Sequence, residues 1–434
     1  MKFLRFALPL LIAFAVLSFG AVDVWSQSIV EAGAAVLLAI WAVVAWLHPE
    51  NKIRWSPLNW PLLGFVAIAA LQLLFHGTAS AFLTRTELLR LAAYSIVFFL
   101  IAQAFRSRKD WTRLSWFLIC FGFAISLLAI IQHFTSTNEI YWTRSFRTDV
   151  EPWGPYVNRN DFAGFVELTL PVGLSLMLFR GAHKDLIPLL TLFTVVPVSA
   201  AVLSSSRGGI MGLAFEIGVL FLLAMKRRSG ARKRSGSRAI AIGVAALAGI
   251  VFVAWMGAGS AIQRFSTLKN PEVSLARRVS MGRGALRIFF AHPLTGCGLG
   301  ALVDVFPQYD THYDGRIVDH VHDDYLEALA EAGILGAICG LSFLWLLYRE
   351  GRRNLEAEQG HFSRALHAGA VAAVCGLLLH SFVDFNLHIP ANALLFLLQV
   401  SALASPPLAS ASAPGVRRPR PEAEWLGQDV PAPR

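Results

Sequence analysis

Charged side chains are scarce in this chain of 434 residues: 15% of the total, against 55% hydrophobic. A soluble globular protein of that balance would need more core than its surface could cover, so a polytopic membrane protein is expected. Cysteine is scarce too. Cys120, Cys339 and Cys375 fall inside apolar runs and Cys297 in a polar loop, so no disulfide framework is implied. No small-x-small cleavage site follows MKFLRFALPLLIAFAVLSFG, which is therefore read as an uncleaved first helix. Internal repeats are missing as well, which argues against a transporter of duplicated halves. The net charge of +10 sits in short basic clusters between apolar runs, the distribution of a topology signal and not of a nucleic-acid-binding face.

What is abundant is apolar sequence in runs of membrane length. A bilayer core of about 30 Å takes roughly 20 apolar residues per helix. Such runs occur near 4–22, 28–47, 58–76, 87–105, 114–134, 161–180, 186–204, 208–225, 238–257, 325–348, 366–385 and 389–405. The expected fold is all-α with about 12 transmembrane helices over 1–405, followed by a Pro-, Ala-, Ser- and Arg-rich tail, 406–434, expected to be disordered. With the amino terminus inside, 25 of the 38 basic residues fall on the cytoplasmic side, among them the cluster at 226–238. Both termini are then cytoplasmic. Two large loops, 135–160 and 258–324, are left outside, the second between helices 9 and 10.

The stretch from Ala291 to Gly336 concentrates the ionisable groups, with His312, His320 and His322 set among aspartates just before an apolar helix. His322 is its focus. In the following helix Ala328, Ala332, Gly336 and Gly340 recur every four residues, a stripe of small side chains suited to close helix packing. SSSRGG at 204–209 sets Arg207 in a short turn between two spans, where its planar fork could bind phosphate oxygens or merely snorkel to the interface. Arg283 and Arg287 lie four apart on an amphipathic segment of the large loop, on a shared face that is either an anion site or simply solvated. Glu31, Glu87, Arg90, Glu167, Glu216, His380 and Asp384 are charged groups inside apolar spans, expected near their outer ends, where a water-accessible vestibule would collect them. The acids and histidines at Asp310, His312, Asp314, Asp319, His320 and His322 also include ligand types for zinc or manganese, at spacings that match no zinc pattern.

The GCGLG run after HPL, HDDYLEALAEAGILG, SSSRGG between two helices and NRNDFAGFVELTLP at 158–171 together resemble the O-antigen ligase and polymerase superfamily. The resemblance implies a bacterial inner-membrane glycosyltransferase of C-type (GT-C) architecture, acting on the periplasmic side without cofactor or required metal. Its donor would be an undecaprenyl diphosphate-linked glycan and its acceptor a lipid or glycan hydroxyl, such as lipid A-core. It makes His322 the essential loop-to-helix histidine and general base, with Asp323 beside it. Arg207, then Arg287 and Arg283, become the diphosphate-binding arginines. A polymerase, a protein O-oligosaccharyltransferase, a lipid-linked oligosaccharide flippase and a metal-dependent hydrolase are the competing readings.

Overall fold

The computed structural model describes residues 2–50, 52–136, 138–145, 151–226, 275–313, 315–357 and 360–408. The expected span at 238–257, most of the basic cluster at 226–238, Asp314 and the tail from 409 onward lie outside the described residues. The helices are α1 (Leu4–Leu17), α2 (Val24–Leu47), α3 (Asn59–Leu74), α4 (Ala81–Ala104), α5 (Arg108–Thr135), α6 (Arg159–Leu178), α7 (Ile187–Leu203), α8 (Arg207–Lys226), α9 (Leu275–Ala291), α10 (Asp324–Glu356), α11 (His361–His380) and α12 (Pro390–Ala404). Shorter turns join them. Among the described residues the one sheet is a hairpin, β1 (Glu139–Ile140) antiparallel to β2 (Arg144–Ser145).

Eight helices among the described residues are long and apolar enough to cross a membrane, and α1, α3 and α12 are shorter apolar helices. The protein is a multi-pass membrane protein. Polar capping marks where the apolar runs begin: Ser107 and Asp110 form a reciprocal capping box on α5, and Asn158 caps α6. α6 and α12 are enclosed within the bundle, whereas the far end of α2 and the second half of α10 expose Trp46, Leu341 and Trp345 to the surroundings. In the enclosed layer, polar side chains answer backbone groups of the next helix. Gln399 donates to the Leu168 carbonyl at 2.6 Å and Asn392 to the Asp161 carbonyl at 2.8 Å.

Two expectations need correction. The apolar run at 366–385 does not continue as a helix past His380, because the chain turns there and carries Asp384 out of α11 into the connection to α12. The helix that follows His322 is also not continuous. Gly333 has φ 60° and ψ −154°, a conformation open essentially to glycine alone, and it interrupts α10. The loop Leu294–Gly300 fills the interruption: Cys297 and Gly298 donate backbone bonds to the carbonyls of Ala330 and Glu331, and Ile334 donates to Pro293. Gln72 seals the junction, donating to the carbonyls of Thr295 and Glu331 and accepting from the Leu299 amide. Of the small-residue stripe, Ala332 is buried against Ile68 and Ala69 of α3, as close helix packing requires. Ala328, Gly336 and Gly340 border a cavity, and a Cβ added at Gly340 would meet nothing within 4 Å.

Candidate active site

His322 closes the loop that leads into α10, and its backbone φ of 54° is left-handed. A non-glycine residue held there costs on the order of 1–3 kcal/mol and persists only where its surroundings impose it. They do. Asp323 caps α10, accepting from the amides of Tyr325 and Leu326 at 3.0 Å each, and the Asp324 amide donates to the Ser381 carbonyl. Asp323 is thus engaged with the helix end, and burial raises its carboxyl above the usual range. The carboxylate that meets His322 is Asp384, whose Oδ1 lies 3.2 Å from the imidazole Nδ1 and also accepts the Phe385 amide. Burial opposes ionisation of Asp384, yet the hydrogen bond and charge of His322, with the charge of His380, hold it below the ordinary carboxylate range. Phe385 packs edge-on to His322 at 5.0 Å and stacks on His320 at 4.4 Å.

Behind this pair stands a second polar group that fixes its frame. His388 donates from Nδ1 to Asp324 across 2.7 Å and faces Glu327 with Nε2 across 3.3 Å, while His320 meets Glu327 at 2.6 Å. Burial disfavours the charged imidazole of His388, but Glu327 and Asp324 outweigh it and push its pKa up to about 10. His320 is raised as well, burial again being overcome by Glu327. The acids one turn apart at the start of α10 thereby pin the connections on both sides of it.

His320, Glu327 and His388 also bring three ligand-type atoms within 4.8 Å of one another, so this group could hold a metal ion. An ion would have to displace the proton between His320 and Glu327 and break the contact of His388 with Glu327. The wider ligand set suggested by spacing does not assemble: Asp310 is committed to a two-point ion pair with Arg277 at 2.6 and 2.8 Å, and His312 is exposed.

The arginines separate into two groups. Arg207 is the exposed first residue of α8, and the next residue, Gly208, lies against the His380 ring and Val383. Arg278 of α9 donates to the Val383 carbonyl at 3.0 Å, beside Asp384, and its Nε is buried without a partner among the described residues. Arg278 thus reaches the turn that carries Asp384 from α9, while Gly208, the residue after Arg207, packs against it from α8. Arg283 and Arg287 point outward on α9, and Arg287 is nine residues, roughly 13 Å, along the helix from Arg278. The two arginines to which the resemblance points therefore lie on the exposed face of α9, and Arg278 lies nearer the turn at Val383. A usable signal was present, since Arg278 shares the stripe of Met281, Ala285 and Ile288, which are buried against α10 and the loop.

Beside the site, a cavity of about 500 Å³ opens between α3, α4, α10 and α12. Leu62, Phe65, Leu91 and Phe396 line it, and Asp324 and His388 stand at its polar end. It is a mainly apolar space that Glu87 and Glu331 also line, and it shares Asp324 and His388 with the group supporting His322.

Residues 192–341 match the family model described as O-antigen ligase. This segment belongs to the O-antigen ligase and polymerase superfamily. It contains Arg207, Arg278, His322 and Asp323, and stops short of Asp384 and His388. No curated protein matches the chain.

Proposed function

We propose that the protein transfers a glycan from undecaprenyl diphosphate to an acceptor hydroxyl at the periplasmic face of the bacterial inner membrane, by an inverting reaction that needs no metal. The observation that carries this reading is the pairing of His322 with buried Asp384, with Arg278 bound to the same turn and Arg207 at the start of the helix packed against it, beside an apolar cavity. Rupture of a sugar to diphosphate bond expels a stable leaving group, so the two carboxyls of a glycosidase are not required. The tasks are to hold the departing negative charge and to remove a proton from the acceptor.

Asp384 accepts from Nδ1 of His322 and so leaves Nε2 as the basic nitrogen, which takes the acceptor proton as the oxygen attacks the anomeric carbon. Arg207 and Arg278 supply the fixed positive field for the diphosphate, and the two-nitrogen face of each guanidinium suits phosphate oxygens. The cavity suits the apolar tail of a lipid-linked substrate. The periplasmic assignment is supported by charge, because Arg5, Arg54, Arg106 and Arg353 gather at the bundle end opposite His322.

The test is a strain lacking the gene, complemented with wild type or His322→Ala, in which surface glycolipid and carrier-lipid extract are compared. Ligase activity leaves polymer on the carrier and removes it from the surface glycolipid, with no rescue by His322→Ala. Surface glycolipid bearing one repeat unit assigns polymerase activity instead, and unchanged fractions overturn both.

A further inference from the structure

Inward from His322 and Asp384 lie three ionisable side chains that the transfer chemistry leaves unused: His380 of α11, Glu167 of α6 and Glu216 of α8. All are buried. His380 Nδ1 is 2.9 Å from Glu167 Oε1, and Glu167 lies against Gly212 of α8, one turn before Glu216. Glu167 Oε2, His380 Nε2 and both carboxylate oxygens of Glu216 are buried with no hydrogen-bond partner among the described residues. Each group is accommodated by a glycine of a facing helix. A Cβ at Gly208 would strike His380, one at Gly212 would strike Glu167, and one at Gly376 would strike Glu216.

An ionised group in a bilayer costs several kcal/mol, and an isolated buried carboxylate still more, so such residues persist where they carry out a task. The sequence suggests that these groups sit near the outer ends of their helices. Glu216 does not: it is nine residues, about 13 Å, beyond Arg207 and so near the middle of a core of about 30 Å.

We propose that His380, Glu167 and Glu216 form a proton relay that runs inward from the catalytic pair and receives the proton removed from the acceptor. This rests on the transfer reaction proposed above. The acceptor O–H bond breaks, its proton joins His322 Nε2, and the Nδ1 proton passes to Asp384. The oxygen's electron pair forms the new glycosidic bond while the pair of the old bond leaves with the diphosphate. Asp384 lies one turn beyond His380, whose carbonyl accepts its amide at 3.1 Å. Through the two nitrogens of His380 the proton moves to Glu167 and Glu216, and it returns to the diphosphate or to water as products leave. The charged and titratable groups around the relay are Asp161 of α6, Cys375 of α11, and Asp319, His322, Asp324 and Asp384 at its mouth.

Glu167→Gln and Glu216→Gln keep shape and remove the titrating carboxyl. In liposomes with a lipid-diphosphate glycan donor, the wild-type rate should depend on the fraction of D₂O along a curve, as for several protons in flight. In either glutamine variant kcat should fall severalfold at unchanged KM, the D₂O dependence should become linear, and the pH profile should shift. Wild-type kcat, pH profile and D₂O curve in both variants would overturn the relay. Infrared pH titration of the purified protein supplies a readout that needs no turnover. The stretch of a protonated carboxyl in an apolar site should vanish in Glu216→Gln, and Asp384→Asn should move its titration. A stretch that persists in Glu216→Gln, or ignores Asp384→Asn, also overturns the relay. Absence of any transfer by wild type overturns the glycosyltransferase reading instead, and so the two failures are distinct.

Discussion

Asp384→Asn keeps the size of the buried side chain but can present its amide to His322, favouring the wrong imidazole tautomer. With the base misoriented and the exit of its proton closed, kcat should drop on the order of 10²- to 10⁴-fold with KM little changed. A glycan-transfer assay at saturating donor checks this, and Asp323→Asn should be far milder, because asparagine also caps a helix. Arg278→Ala should cost roughly 10²- to 10³-fold, while Arg287→Ala leaves the rate near wild type. Equal losses for the two would undo the arginine assignment. His388 brings a pH dependence of stability. Its folded pKa of about 10 lies above its ordinary 6.5, so its contribution is complete below pH 6.5 and is lost as pH rises through 10. Melting temperature in detergent should decline over that interval in wild type, and His388→Gln should flatten the decline.

At the scale of elements, the interrupted α10 is the joint on which the site depends. Its first half carries Asp323, Asp324 and Glu327, and its break is filled by the Leu294–Gly300 loop that continues from α9. Gly333→Ala places a methyl group against the Leu294 carbonyl in a conformation that alone costs about 1–3 kcal/mol. A lower melting temperature and lost transfer are expected together. Gln72→Leu strands the Thr295 carbonyl and the Leu299 amide, at roughly 1–3 kcal/mol for each unpaired group, while the Glu331 carbonyl keeps the Gly298 amide. Its effect should be on stability first, read by thermal unfolding.

Over the whole molecule, charge and chemistry sit at opposite ends. Arg5 pairs with Asp110 at 2.9 Å and Arg353 with Glu350 at one end, while His322, Asp384, Arg207 and Arg278 occupy the other. Single cysteines at Tyr313 and at Glu356 should therefore label from opposite sides with an impermeant maleimide, Tyr313→Cys from outside. Labelling of both from one side would contradict the orientation.

The apolar runs by themselves determined where nearly every described membrane helix lies, because a bilayer demands uninterrupted apolar length and little else. His322 was legible for a related reason: a histidine among aspartates at the start of a membrane helix stands out against apolar sequence. Its partner was not. Asp384 is 62 residues away in a turn disguised as the end of an apolar run, and Arg278 differs from Arg283 only in which face of α9 meets the bundle. Such pairings depend on how helices distant in sequence pack, on a glycine that breaks α10, and on a loop that fills the break. Hydropathy is blind to all three, since it measures each segment against lipid and never against another segment.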